Sequence, residues 1–449
     1  MCGAPTKPAE GAGEIHSRKT MGFGRSPFQS AVKVLQGALV LDTLLTNIAV
    51  LATPIGAVSK KGTEQGKIRI IRDAVIGIED CRIVYVGPAD TCCSIKAKST
   101  IDCGRRLVTP GLVDAHTHLV FGGWRQNELA LKLEGKSYLD ILKEGGGILN
   151  TVAHTRAADE AELFDKSKAL VQIMLQHGTT TAECKSGYGL SVADELKQLR
   201  VAQKLNNLGI IDLVSTFMGA HALPVEYKEN RQDYINLIVD EMLPKIADQG
   251  LAEFCDVFCE ASVFASDEAR YILTCAKEHG LGIKAHADEI DPSGGAELAA
   301  ELCCVSAEHL IQASDMGIAA MAKKGVIACL LPATSFYLDK PYARARNMID
   351  EGVPVAVCTD FNPGSCPNLS LQLPMNLSCL KYRLTPAESL TAVTLNAAAA
   401  IGRSGTVGSI ENGKNADIVI WDAPDLEYIF YRFGTNLVHS VIKSGVTVC

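Results

Sequence analysis

The middle of the chain alternates between two patterns of apolar and polar positions. Short apolar runs, typical of buried strands, are followed by longer stretches in which apolar residues recur every three or four positions, as in amphipathic helices. The strand candidates end within residues 113–116, 181–183, 217–220, 255–258, 283–286, 305–309, 327–330 and 355–358, and the clearest helical stretches cover residues 163–176, 194–205, 268–279, 294–302 and 342–350. These eight strand–helix units predict an α/β fold, a closed (β/α)8 barrel of parallel strands.

The two ends of the chain share a different pattern, in which short β-type runs are separated by turn residues. Such runs cover residues 44–51, 68–71, 74–78 and 82–86 near the start, and residues 416–421 and 438–443 near the end. This pattern is typical of a small β-sandwich, and we expect one composite domain built from both ends. The predicted division is a disordered extension (residues 1–28), the sandwich (29–105 and 406–449) and the barrel (106–405).

Composition narrows the class of protein. The formal net charge of −8 gives no reason to expect nucleic acid or an anionic membrane as the main partner. The most apolar stretch, residues 43–59, contains the turn sequence Thr-Pro-Ile-Gly, which argues against a membrane-spanning helix. Sixteen cysteines without a Cys-x-x-Cys motif favour buried, reduced thiols. We therefore expect a cytoplasmic enzyme that acts on a small-molecule substrate.

The chemistry-bearing side chains of a (β/α)8 barrel lie at the carboxyl ends of its strands. In this chain those ends carry His116 and His118 (first strand), His286 (fifth), His309 (sixth) and Asp360 (eighth). Side chains two positions apart in a strand point to the same side, so the first two imidazoles can bind one ion. Imidazole and carboxylate groups suit one divalent metal, Zn²⁺ or Fe²⁺, with Fe³⁺ as a further candidate. If these histidines were hydrogen-bonded core residues instead, their shared position would be a coincidence.

A metal at this position would lower the pKa of bound water from ~15.7 to about 7, and would so supply hydroxide for hydrolysis. Glu289 lies three residues after His286 and can reach back over the barrel mouth as general acid or base, unless it is a solvated loop acid. His309 could polarise the scissile carbonyl group, and Asp360 could both bind the metal and accept a proton.

Four motifs at the strand ends resemble those of the amidohydrolase superfamily: Val-Asp-Ala-His-Thr-His (113–118), His-Ala-Asp-Glu (286–289), Ser-Ala-Glu-His (306–309) and Thr-Asp-Phe-Asn-Pro-Gly-Ser (359–365). Within that superfamily, the last motif and Lys-Ser-Gly-Tyr-Gly (185–189) are similar to the imidazolonepropionase family, and the likeness runs over about residues 44–446. The resemblance implies a homodimeric hydrolase of histidine degradation. Such an enzyme opens 4-imidazolone-5-propanoate at a C–N bond and releases N-formimidoyl-L-glutamate.

The resemblance also implies roles for individual residues. The metal ligands would be His116, His118, His286 and Asp360. Substrate contacts would come from Arg125, Tyr188, His221, Glu289, Asn362, Gly364 and Ser365, with Tyr138 as a further candidate. The plainer alternatives are a surface ion pair for Arg125, packing for Tyr188 and a turn position for Ser365. Residues 145–147 are either an edge of the site or a turn.

One departure from the superfamily bears on the number of metals. Binuclear relatives carry a carboxylated lysine at the end of the fourth strand, where this chain has Cys259 and Glu260. Lys185 instead follows the second strand. We therefore predict a single metal, with Lys185 in an ion pair or near the substrate.

Two other functions fit parts of this pattern. A deaminase of a cyclic base would use His286, Glu289, His309 and Asp360 equally well, but a nucleobase gives Arg125 no carboxylate to bind. A non-catalytic scaffold should have lost ligands, whereas this chain keeps every predicted ligand and the candidate acid or base.

Overall fold

The terminal segments of the chain form one sheet in the computed structural model, which describes residues 40–91, 95–135 and 146–449. The first segment supplies β1 (Val40–Thr53), β2 (Arg69–Glu79), β3 (Arg82–Pro88) and β4 (Lys96–Pro110). Within the described residues these strands join β13 (Ile418–Trp421), β14 (Val438–Lys443) and β15 (Val446–Thr447) in the order β3-β2-β1-β4-β13-β14-β15. The small domain is therefore composite, as the sequence predicted.

The intervening chain forms the barrel. Over the part that the structure describes, its strands are β5 (Leu112–Asp114), β6 (Thr179–Lys185), β7 (Asp212–Ala220), β8 (Phe254–Cys259), β9 (Gly282–Ala287), β10 (Ser306–His309), β11 (Ile327–Leu330) and β12 (Val355–Val357). Each strand pairs in parallel with the next, in sequence order. The predicted fold class, with eight parallel strands and a separate sheet from both termini, is confirmed.

Helices follow most of the barrel strands. They are α1 (Glu128–Leu133), α2 (Ile148–Ala157), α3 (Glu160–Gln176), α4 (Val192–Asn206), α5 (Arg231–Asn236), α6 (Leu243–Asp248), α7 (Ser266–Glu278), α8 (Gly295–Leu302), α9 (Asp315–Lys324), α10 (Pro332–Tyr337), α11 (Ala345–Asp350), α12 (Gln372–Leu380), α13 (Pro386–Ala392), α14 (Leu395–Ala400) and α15 (Leu426–Tyr431). A π-helical turn (Leu237–Met242) links α5 to α6. In the described ranges, none of these helices is long and apolar enough to cross a membrane.

The barrel closes between its first and last strands just beyond their regular parts. The Asp360 amide donates to the His116 carbonyl oxygen at 3.1 Å. Below this bond, the Asp114 carboxylate accepts the amide of Thr359 at 3.0 Å and its hydroxyl at 2.5 Å. We call these four residues the closing seam. Two of these residues, His116 and Asp360, are predicted metal ligands. Closure of the barrel therefore brings together ligands from its first and last strands.

Some of the sequence predictions concern residues that the structure does not describe. The predicted extension (residues 1–28), Tyr138 and residue 145 lie outside the described residues. The thirteen cysteines within those residues are all unpaired, and most of them are buried as expected, but Cys81, Cys303 and Cys449 are exposed. The exact domain boundaries stay a prediction.

The passage from the small sheet into the barrel generates a stability prediction. Gly111 separates β4 from β5, and a Cβ atom there would lie 2.2 Å from Thr180 Oγ1 and 2.9 Å from Thr180 Cβ. We expect Gly111→Ala to lower the free energy of unfolding by about 1–3 kcal/mol. The added methyl group would overlap Thr180 of β6, and neither β5 nor β6 can shift to relieve the overlap without a loss of stability. Urea unfolding measures this change. Gly405→Ala is the control, since a Cβ at that position meets nothing within 4 Å; equal midpoints for the two variants would contradict the prediction.

Candidate metal centre and active site

Three buried imidazoles converge at the barrel mouth. One ring nitrogen from each of His116, His118 and His286 lies within 4.8 Å of the other two. One oxygen of Asp360 (Oδ1) lies 3.4 Å from Nε2 of His116 and 3.7 Å from Nε2 of His118. The structure therefore brings together all four residues that the resemblance implied as ligands.

Two buried carboxylates orient the rings of His116 and His286. Nδ1 of His116 lies 2.6 Å from Glu308 Oε2, and Nδ1 of His286 lies 3.0 Å from Asp256 Oδ2. The opposite nitrogen of each ring, Nε2, is buried without a hydrogen-bond partner among the described residues. Buried polar atoms are rarely left unpaired, and metal-binding histidines commonly donate their other N–H to a carboxylate. The arrangement fits a divalent cation.

The protonation of the rings agrees with this fit. Burial, together with the positive charge of Lys185, holds the pKa of His116 well below its usual range. Burial also lowers the pKa of His118 well below its usual range. Neutral imidazoles keep a lone pair available, as a metal ligand must.

A network of ion pairs fills the barrel interior beneath the histidines. Lys185 Nζ lies 2.6 Å from Asp256 Oδ2 and 2.8 Å from Glu183 Oε2, and Lys284 Nζ lies 2.6 Å from Glu183 Oε1. We call these four residues and Glu308 the barrel ion network; all five side chains are fully buried. Burial alone would lower the pKa of Lys185, but the adjacent carboxylates outweigh it and hold that pKa well above the ordinary value. Lys185 is therefore in an ion pair, one of the two roles expected for it.

The candidate general acid or base, Glu289, lies beside His309 at the barrel mouth. Glu289 Oε2 is 3.5 Å from His309 Nε2, and the Glu289 side chain is 18% exposed. Burial, with the nearby charges of Asp360 and Glu260, raises the pKa of Glu289 to about 8. Burial likewise raises the pKa of Asp360 to about 6, against the effect of a 2.7 Å hydrogen bond from the Thr334 hydroxyl. Two carboxyl groups at the mouth can thus hold a proton near neutral pH.

An aromatic wall flanks the histidines. His118 and His221 stack with ring centroids 4.8 Å apart and an interplanar angle of 17°. Tyr188 lies 5.3 Å from His221 and 5.8 Å from His118, centroid to centroid. Burial lowers the pKa of His221 to about 3. These three residues are brought together as expected, and they offer flat, neutral surfaces against which a planar ring can lie.

Arg125 reaches the loop after the eighth strand. Its side chain is 9% exposed, and its Nε lies 3.7 Å from Glu128 Oε2. A Cβ atom at Gly364 would lie 1.1 Å from an Nη atom of Arg125, so only glycine leaves room for the guanidinium there. Arg125 is thus a mostly buried cation rather than the exposed ion-pair residue of the alternative.

Asn362 and Ser365 bond mainly to their own loop. Asn362 Oδ1 accepts the amides of Gly364 at 2.9 Å and Ser365 at 2.7 Å, and Asn362 Nδ2 donates to Ser365 Oγ at 2.8 Å. These bonds make the loop a fixed platform under Arg125, which suits the alternative of Ser365 as a turn residue. Direct substrate contacts from Asn362, Gly364 and Ser365 stay predictions.

Sequence reasoning missed the carboxylates that orient the histidines. Glu308 and Asp256 were not singled out, although Asp256 stands in an otherwise apolar strand and Glu308 directly precedes His309. A usable signal was the period-two placement of polar residues within strands, such as Ser306 and Glu308 in β10 or Lys284 and His286 in β9. Such spacing puts both side chains on one face of the strand, which indicates a polar barrel interior.

Comparison with known proteins places this geometry in a class. The model of the amidohydrolase family matches residues 107–448. The chain therefore belongs to the amidohydrolase family. Solved structures with the same fold include an adenosine deaminase from Xanthomonas campestris with bound zinc (TM-score 0.66, 19% identity, 91% of this chain and 92% of that one). An atrazine chlorohydrolase from Arthrobacter aurescens complexed with zinc also matches (TM-score 0.69, 18% identity, 90% and 94%).

Curated relatives are much more similar in sequence. The imidazolonepropionase of Bacillus velezensis is 54% identical over 409 residues, which cover 91% of this chain and 97% of the relative. The imidazolonepropionase of Thermoanaerobacter pseudethanolicus is 48% identical over 403 residues, covering 90% and 97%. The resemblance to imidazolonepropionases inferred from the strand-end motifs is therefore confirmed.

The orienting carboxylates generate a metal-affinity prediction. We expect Glu308→Gln to weaken metal binding by about 10–100-fold, because an amide holds the His116 ring less firmly than a carboxylate does. Competition with a chromophoric chelator measures the affinity. Asp417→Asn is a matched control, since this buried carboxylate pairs with Lys443 in the small domain. Unchanged affinity in a folded Glu308→Gln protein would remove the orienting role.

Proposed function

We propose that this chain hydrolyses 4-imidazolone-5-propanoate to N-formimidoyl-L-glutamate, as a step of histidine degradation. The sequence similarity to imidazolonepropionases over nine-tenths of the chain supports this reaction. The observation that carries the proposal is the meeting of three buried imidazoles and Asp360 at one point of the barrel mouth, with Glu289 beside His309 and Arg125 against Gly364 of the loop after the eighth strand.

His116, His118, His286 and Asp360 would hold a single divalent cation, Zn²⁺ or Fe²⁺, with Fe³⁺ as a further candidate. When bound, such a cation supplies a nucleophilic water at neutral pH, because it lowers the pKa of that water to about 7. Lys185 is paired with the buried carboxylates of Glu183 and Asp256, which supports one metal site rather than two.

The surrounding residues would orient the substrate. The guanidinium of Arg125 would bind the propanoate carboxylate, and the substrate ring would lie against Tyr188 and His221. His309 would then polarise the ring carbonyl through Nε2, and Asn362, Gly364 and Ser365 would line the other side. The aromatic stack and the buried cation are chemically matched to a planar ring that carries an anionic tail.

Proton transfer would fall to two carboxyl groups. Glu289, whose pKa is raised to about 8 by burial, holds a proton that it can donate to the ring nitrogen as the C–N bond breaks. Asp360 would accept the proton that the attacking water loses. The nitrogen leaves as part of the formimidoyl group, and the carbonyl carbon becomes the new carboxylate.

A cyclic-base deaminase is the second function that the sequence allowed. The solved deaminases share the fold at under 20% identity, and that likeness extends to the fold alone. No arrangement in the described residues favours a nucleobase over an anionic substrate. We therefore keep hydrolysis of the imidazolone as the proposed function.

Assembly and location complete the proposal. We infer a homodimer in the cytoplasm with a small-molecule substrate and without nucleic acid or membrane partners. The family resemblance supports the dimer. The net charge of −8 supports the inference that nucleic acid and membranes are not partners, and the unpaired thiols support the cytoplasmic location.

The reaction itself is directly testable. The purified protein should remove imidazolone absorbance and should release no ammonia from cytosine or guanine. Glu289→Gln and His118→Ala should each lower kcat by at least about 100-fold, through loss of proton transfer and of the metal respectively. His439→Ala, an exposed histidine on β14, should turn over at the wild-type rate. Activity on bases alone, or wild-type turnover in both site variants, would refute the proposal.

Arg125 gives a prediction about substrate affinity. We expect Arg125→Lys to lower kcat/KM by about 10–100-fold, mainly through KM, because a lysine cannot form the two parallel hydrogen bonds of a guanidinium. Steady-state kinetics at several substrate concentrations separate KM from kcat. The surface substitution Arg270→Lys, in a residue paired with Glu301, serves as control. A wild-type KM in Arg125→Lys would exclude the carboxylate contact.

A further inference from the structure

Glu260 directly follows β8. Binuclear relatives carry a carboxylated lysine at this strand end, and this chain does not. Its side chain is fully buried and faces the loop that carries Glu289. Glu260 Oε1 accepts the backbone amides of Glu289 at 2.6 Å and Ile290 at 2.9 Å, while Oε2 accepts the amide of Asp291 at 3.4 Å and the hydroxyl of Ser293 at 2.9 Å. Three consecutive amides and a hydroxyl thus converge on one carboxylate.

The carboxylate is itself held firmly. The Glu260 amide donates to the Phe264 carbonyl oxygen at 3.0 Å, and the Glu260 carbonyl oxygen accepts the Val263 amide at 2.9 Å. These bonds close a turn at the end of β8. A side chain that starts from such a turn has few alternative positions, so the amides bonded to it are fixed relative to the barrel.

Asp288 fixes the same loop from its other side. Its carboxylate accepts the amides of Ser293 at 2.9 Å, Gly295 at 3.0 Å and Ala296 at 2.8 Å, which ties the loop to the start of α8. Asp288 has a φ of 50°, a left-handed conformation that is uncommon for residues other than glycine. The segment between Asp288 and α8 is therefore fastened at both ends by buried carboxylates.

We propose that Glu260 is a positioning residue for Glu289, fixing the backbone from which that side chain reaches His309 Nε2. The inference rests on the proposed function, because it presumes that Glu289 moves the proton. Glu260 itself would not touch the substrate. Its effect on turnover would pass entirely through the position of Glu289, where a displacement of ~1 Å can cost on the order of 100-fold in rate.

A carboxylate is the side chain that this cradle requires. An isosteric amide in Glu260→Gln would keep one oxygen for the amides of Glu289 and Ile290. Its NH2 group would face the Asp291 amide, so two donors would oppose each other. Glu260→Ala would leave all three amides without their acceptor. The two variants therefore form a graded series.

The test is a double-mutant cycle on the metal-loaded enzyme. We expect kcat to fall by about 100-fold in Glu260→Ala and about 10-fold in Glu260→Gln, with KM changed by less than about threefold. In the Glu289→Gln background, neither change should lower kcat further, because the group being positioned has already been lost. Hydrogen exchange of the segment from Glu289 to Ser293 should accelerate in Glu260→Ala, while metal content stays at the wild-type value.

The control is Glu388→Gln. Glu388 is also a buried carboxylate that accepts a backbone amide and a hydroxyl, both from Thr385, but it belongs to the capping box of α13. It should lose stability without loss of kcat. If Glu260→Ala does not fold, Glu260→Gln carries the cycle alone.

The possible failures are distinguishable. If Glu289→Gln turns over like the wild type, the proton-transfer step of the proposed function fails, and this inference falls with it. If Glu289→Gln is inactive but the Glu260 substitutions lower kcat by the same factor in both backgrounds, only this inference is wrong. Unchanged hydrogen exchange in Glu260→Ala would overturn it as well.

Discussion

The site depends on buried charges that are paired inside the barrel. A carboxylate or ammonium group without a partner is very costly to bury, and removing one member of a buried pair typically costs about 3–5 kcal/mol. In this protein the barrel ion network pairs Lys185 and Lys284 with carboxylates of β6 and β8. Two acids of the network also hold His116 and His286. The polar core therefore serves both the fold and the orientation of the imidazoles.

The sequence carried most of the fold. Parallel strands buried on both faces appear as continuous apolar runs, and amphipathic helices between them leave a period of three to four, so each barrel unit could be recognised separately. His116 and His118 could be placed because the carboxyl ends of parallel strands must meet at one mouth. Asp360 followed from the same rule, at the far end of the barrel sequence.

What the sequence could not supply were contacts between distant strands. Glu308 bonds to His116 across 192 positions, and no local pattern specifies that pairing. The closeness of Gly364 to Arg125 is equally invisible, because a glycine in a loop has several local explanations. Glu260 stood out only as a departure from a family pattern. Its bonds to the Glu289 loop depend on β8 and β9 being neighbours in the closed sheet.

The closing seam links catalysis to folding. Asp360 and His116 join the last strand to the first through a backbone hydrogen bond, while their side chains face the same point at the mouth. A cation held there would bridge the two margins of the sheet, much as a clasp closes a ring. Its binding free energy would then be added to the cohesion of the whole barrel. In such a molecule, loss of the metal and loosening of the barrel would be coupled, so that each would promote the other.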